Sequence, residues 1–135
     1  MTLYELMDLA QSISSRIDVQ WGFFITIHLA LLGGIIYVDR PLKKAEKLIG
    51  FAVYLLFAIF NFRVITTHQG LLEKIYTEIA GIPEVEGTGS GLVSHYQAAM
   101  TTGYADDIYL ITLSVHLVSF LVVLGSFIPD GPRKQ

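Results

Sequence analysis

The 135-residue chain has no cysteine, which excludes disulfides and thiolate-held metal and leaves the compartment open. It has no excess of positive charge. Nine Lys and Arg stand against twelve Asp and Glu, a net charge of -3, and the basic residues form no groove-like patch, so nucleic acid is excluded as a partner. The start, Met1 to Asp18, carries Glu5 and Asp8 and lacks a basic segment ahead of an apolar core, so it does not read as a signal peptide. No nucleophile–base pair, phosphate-cradling glycine loop or pair of carboxylates stands in a readable context. Gly87, Gly89 and Gly91 follow no strand and read as linker.

What the chain does have is apolar length. Hydrophobic residues make up 53 % of it and its mean hydropathy is +0.56, too apolar for an ordinary soluble domain. Three apolar runs, at about 19–38, 48–65 and 108–128, each approach the roughly 20 residues that carry a helix across a bilayer core. Together they take nearly half the chain, which leaves room for one membrane domain over 1–135 and none for a separate soluble catalytic domain. The fold class expected is all-α: a polytopic membrane protein with three transmembrane helices and short amphipathic helices on its outer side.

Thr2 with Glu5 three residues on forms a capping-box pattern, and Leu3, Leu6, Met7, Ala10, Ile13 and Ile17 follow at helical spacing. This predicts an amphipathic helix that lies on the membrane surface or packs against other extramembrane protein. The first span then starts after Asp18 as cap, with Trp21 at the interface. Gly22, Thr26, Ala30 and Gly34 recur every four residues and line one face, a small-residue seam of the kind that lets helices approach closely in lipid. His28 falls on the opposite face. A seam packed within the chain would turn His28 outward, where only another polypeptide could bury it.

Lys and Arg gather in the turn 39–47 (Arg40, Lys43, Lys44, Lys47) and at the C-terminus (Arg133, Lys134). The positive-inside rule places these in the cytoplasm, with the N-terminus and the loop at about 66–107 outside. The localisation expected is a prokaryotic inner membrane. Within that loop, Leu71, Leu72, Ile75, Tyr76 and Ile79 keep helical spacing up to Gly81 and Pro83. They form either a continuation of the second span past Gly70 or a separate surface helix. A further short helix is expected over about 92–100.

Candidate polar sites are few. His116 shares a stripe with Tyr109, Thr112 and Ser119 on the third span, and an ionisable group there faces a bundle or cavity rather than lipid. His28 lies at a similar depth, each roughly 12–14 Å below the outer boundary, and Tyr54 reaches nearly the same layer. A histidine pair on two helices is a candidate metal or haem site, with haem b as its cofactor. Asn61 and Arg63 near the outer end of the second span join Thr112, His116 and Ser119 as candidate pore or polar-stripe residues. Arg63 has the simpler reading of snorkelling to the interface. His68 and His95 lack zinc-ligand spacing.

The function expected is a non-enzymatic, helix-packing subunit of a homo- or hetero-oligomeric membrane complex, with the bilayer and other membrane subunits or further copies of itself as partners and no cofactor. A homo-oligomeric channel or transporter is the alternative, and a haem-binding electron-transfer protein using His28 and His116 a third. The orientation is directly testable. A Ser90→Cys thiol should react with an impermeant reagent from outside and a Lys44→Cys thiol only from the cytoplasm; the reverse labelling would overturn the orientation and leave the spans standing.

Overall fold

The computed structural model describes residues 1–37, 42–82, 91, 94 and 104–127. They form three long helices, α1 (Leu3–Tyr37), α2 (Lys44–Ala80) and α3 (Tyr104–Phe127), and no strand is found among the described residues. Each of the three is long and apolar enough to cross a membrane. The helix expected over 92–100 and His95 lie outside the described residues, apart from Ser94, which is helical.

At about 1.5 Å per residue, the 35 residues of α1 and the 37 of α2 run for roughly 52 and 56 Å, while the 24 of α3 run for roughly 36 Å. A bilayer core is about 30 Å thick, so α3 fits it and the other two overshoot by some 20 Å. One expectation is corrected here and one pair of alternatives is decided. No separate N-terminal surface helix exists, because α1 continues unbroken through Asp18, which caps nothing. The stretch from Leu71 to Ile79 is the continuation of α2, and Gly70 does not interrupt it. Both outcomes have one cause: each overhang packs on the other. Leu6, Ala10 and Ile13 of α1 are buried with Ile75 and Ile79 of α2, and Leu3, Met7, Ile17, Leu72, Tyr76 and Ile82 close around them. The apolar face of residues 3–17 thus meets the last three turns of α2, a protein partner within the same chain.

The N-terminus of α1 is capped as its sequence predicts. The Thr2 N–H donates to Glu5 Oε2 (2.8 Å) and the Glu5 N–H to Thr2 Oγ1 (3.3 Å). A similar arrangement opens α2, where the Lys43 N–H donates to Glu46 Oε2 at 2.8 Å. Gly81 closes α2 by donating to the carbonyls of Thr77 and Glu78. Hydrogen bonding to its carboxylate from the Thr2 backbone N–H, and secondarily from the Thr2 hydroxyl, holds the Glu5 carboxyl below its ordinary value. The capping contribution is therefore present above the unfolded-state value and lost as pH falls through the lower folded-state one.

α2 packs against both α1 and α3, and aromatic side chains of α1 also reach α3. Ile79 is fully buried, whereas Tyr4 is 80 % exposed. Ile79→Ala should therefore cost about 2–5 kcal/mol of stability and Tyr4→Ala within about 0.5 kcal/mol, read by thermal melting in detergent. Similar losses at the two sites would show that the overhanging pair is not formed. A second check is acid: the protection of amides at residues 3–6, taken relative to their intrinsic exchange rates at each pH, should fall as Glu5 is protonated, and in Glu5→Ala it should no longer change with pH.

Candidate functional site

The interior of the bundle is held by polar contacts at three levels along α2. In the first, nearest the overhang, Gln69 Nε2 donates to Thr112 Oγ1 on α3 (2.9 Å), while Gln69 Oε1 is buried without a partner among the described residues. In the second, Asn61 Nδ2 donates to the Gln20 backbone carbonyl on α1 (3.0 Å) and lies 3.3 Å from Gln20 Oε1. Asn61 Oδ1 stands 3.2 Å from His116 Nε2 on α3. In the third, the Tyr54 hydroxyl and His28 Nε2 are 3.0 Å apart, linking α2 to α1. Successive levels are eight and seven residues apart on α2, roughly 12 and 10 Å.

These positions follow from helical geometry. Tyr54, Asn61, Ile65 and Gln69 recur at spacings of seven, four and four, so they form one face of α2; Tyr54, Asn61 and Ile65 are buried. Thr112 and His116 are four apart on α3, and both are buried. Lipid offers no hydrogen bond, so these groups turn inward and find one another.

Each histidine also bonds its own helix. His28 Nδ1 donates to the Phe24 carbonyl at 2.7 Å and His116 Nδ1 to the Thr112 carbonyl at 2.8 Å. For His28 this sets the tautomer: the neutral ring donates through Nδ1 and accepts the Tyr54 O–H through Nε2, and both nitrogens are satisfied. His116 differs, since its two nitrogens both face oxygen acceptors. A neutral ring has one N–H and satisfies one of them at a time.

Phe24 lies between the two imidazoles, its ring centre 4.1 Å from that of His28 and 4.5 Å from that of His116. Trp21 and Phe62 close over His116 at 5.6 and 5.2 Å. The two histidines flank one aromatic ring but meet α2 at different levels, His116 at Asn61 and His28 at Tyr54, and that ring fills the space between them. Holding a haem iron through both would require Phe24 to leave and both Nε2 contacts to break. Among the described residues no group of three or more His, Asp or Glu gathers as a metal site.

Of the other residues picked out from sequence, Ser119 is half-buried and lines an apolar cleft between α1 and α3 with His28 and Phe24. Arg63 is exposed and takes no part in the polar levels. Gly22, Thr26, Ala30 and Gly34 are all exposed, and a Cβ on Gly22 or Gly34 would meet nothing within 4 Å. The Gly22–Thr26 half of the seam therefore faces away from the other described helices, Ala30 and Gly34 border an open cleft toward α2, and His28 faces in. That inverts the arrangement in which the seam packs internally, and the reason is the Tyr54 hydroxyl, which gives His28 a partner on α2.

Gln20 and Gln69 were missed from sequence. Gln69 could have been found, being two turns from Asn61 on the same face; Gln20 contributes mainly its backbone, which no side-chain pattern announces. Trp21 packs on His116 and Phe24. Comparison with family models, curated proteins and solved structures found no match to this chain.

Removing the Asn61 amide leaves buried groups on two other helices without a partner. Asn61→Leu should lower stability by about 1–3 kcal/mol. His116→Leu should cost less when made on the Asn61→Leu background than alone, with a coupling of about 0.6–1.7 kcal/mol, the range for such contacts in membranes. Thermal melts of the four proteins in detergent measure it. Strict additivity would mean that His116 and Asn61 do not interact.

Proposed function

We propose that this chain is a non-enzymatic structural subunit of a membrane assembly, built to associate through the exposed face of α1. The observation that carries this reading is the outward position of Gly22 and Thr26, with Ala30 and Gly34 exposed beside an open cleft. Small residues serve helix association by allowing backbones to approach, and among the described residues no helix packs on Gly22 and Thr26. The polar side chains inside the bundle support it too. His28, Tyr54, Asn61, Gln20 and Thr112 engage one another across helices, which is what groups that fasten a bundle do. The setting proposed is a prokaryotic inner membrane with the α1–α2 overhang outside, and the partner helix belongs to a further copy of the chain or to another subunit.

A second reading draws on the same bundle. Gln69, Thr112, His116, Asn61 and Gln20 follow one another in polar contact over about 12 Å along α2, with a neutral His116 bonding either the Thr112 carbonyl or Asn61 Oδ1. Such a series is the kind of lining that a channel or relay uses, and it favours that alternative over a haem protein.

The test is substitution of the seam in its half nearest the overhang. Gly22→Leu and Thr26→Leu should reduce assembly at least tenfold in apparent affinity, measured by cross-linking and mass in detergent or nanodiscs. Leu29→Ala, off the seam, should change it little. Equal behaviour of seam and off-seam variants would overturn the proposal, and solute flux through the purified protein in vesicles, abolished by Asn61→Leu, would establish the second reading in its place.

A further inference from the structure

Of the two imidazoles that flank Phe24, His116 alone has more acceptors than protons. Its Nδ1 lies 2.8 Å from the Thr112 carbonyl and its Nε2 3.2 Å from Asn61 Oδ1. The Asn61 amide is held in that orientation by its other end. Its Nδ2 faces the Gln20 backbone carbonyl at 3.0 Å, and a carbonyl only accepts. While Asn61 grips α1 in this way, its oxygen stays on His116. Both contacts of the ring are hydrogen bonds only when Nδ1 and Nε2 each carry a proton, as in the imidazolium.

The surroundings accommodate that form without locking it. Trp21, Phe24 and Phe62 set ring centres 5.6, 4.5 and 5.2 Å from the imidazole. These lie inside the ~6 Å over which an aromatic ring attracts a cation. No carboxylate faces the ring among the described residues, Asp18 of α1 and Asp107 of α3 both being exposed. His28 of α1 stands behind Phe24 with both nitrogens bonded, one of them by Tyr54 of α2. Arg63 of α2 is exposed, and Tyr109 of α3 packs on Phe62. A buried charge with hydrogen bonds but no counter-ion is free to lose its proton.

Loss of the proton sets the Nε2 lone pair against the Asn61 oxygen. A half-turn of the Asn61 amide relieves this, because Nδ2 then donates to Nε2. The same half-turn brings Oδ1 against the Gln20 carbonyl and breaks the bond to the α1 backbone. The Gln20 side-chain amide, whose Oε1 is 3.3 Å from Asn61 Nδ2, can turn likewise and donate in its place.

We infer that His116 and Asn61 form a proton-operated switch. With the proton bound, Asn61 ties the α1 backbone to the imidazolium of α3. With it released, the amide turns to His116 and lets go of the Gln20 carbonyl. The coupling is independent of what the outer face of α1 associates with.

The test is NMR of the full-length protein in nanodiscs, isotope-labelled at the nitrogens of histidine and asparagine. It runs between about pH 8 and about pH 4.5, which brackets the usual charging range of histidine. Wild type should show His116 protonated at Nδ1 alone at the upper end and at both nitrogens at the lower. Over the same interval the Asn61 side-chain NH2 should move from the His116 ring to the Gln20 backbone, with helix content constant. Asn61→Leu removes an acceptor from the charged ring and should weaken proton binding about tenfold, since bonds to charged groups are the stronger kind. If that variant does not fold, the wild-type titration decides alone. A ring that stays singly protonated wherever the protein is folded would overturn the switch. So would proton uptake with the Asn61 amide fixed, or a neutral ring protonated at Nε2, which keeps Asn61 in place and gives up Thr112 instead.

Discussion

Three helices meet on one amide. Asn61, fully buried on α2, donates to a backbone carbonyl of α1 and presents its oxygen to an imidazole of α3. In hydrocarbon there is no water to take over these bonds, and lipid tails are as apolar as leucine, so apolar packing supplies no net drive between helices there. The relative rotation and height of the helices must be set by groups that cannot face lipid. Asn61 does this for both neighbours of α2, and the contacts of Tyr54 with His28 and of Gln69 with Thr112 extend the same constraint in either direction.

The overhang follows other rules. Where α1 and α2 leave the span they carry Glu5, Asp8, Arg16 and Asp18 on one side and Glu73, Lys74 and Glu78 on the other, and the face between them is a cluster of buried aliphatic side chains. Water is available to drive that burial. The same two helices are therefore joined by hydrogen bonds over one length and by the hydrophobic effect over the next. Both sections must agree in register, because neither helix breaks at the boundary.

Composition alone was enough to read three apolar helices, since runs of that length exceed what a buried strand or core helix needs. Helix continuity was harder to read. Asp18 looks like a cap and Gly70 like a hinge when each is taken locally, yet Ile13 and Ile17 on one side and Leu72 and Ile75 on the other gain a partner only if both helices run on. That gain is tertiary and leaves no mark in either segment by itself. Counting residues put His28 beside Tyr54 but not His116, which meets α2 two turns away at Asn61, and it left the orientation of all three open. Residue spacing fixes which side chains share a face and is silent about which face turns inward. Here the choice fell to the Tyr54 hydroxyl, and with it the small-residue seam was left outside. Phe24, an ordinary apolar residue in the sequence, proved to be the ring that separates the two imidazoles.

Two unbroken rods that share a membrane section and an aqueous section also form a lever. A helix meets a thinner or thicker bilayer by tilting, at a modest cost per ångström of mismatch. With some 20 Å of α1 and α2 standing beyond the hydrocarbon, a tilt of about 10° moves their tip sideways by roughly 3–4 Å. Because the aliphatic cluster clamps the two overhangs together, they swing as one body. In a membrane, a change of thickness that tilts the pair would therefore displace the protein's far end.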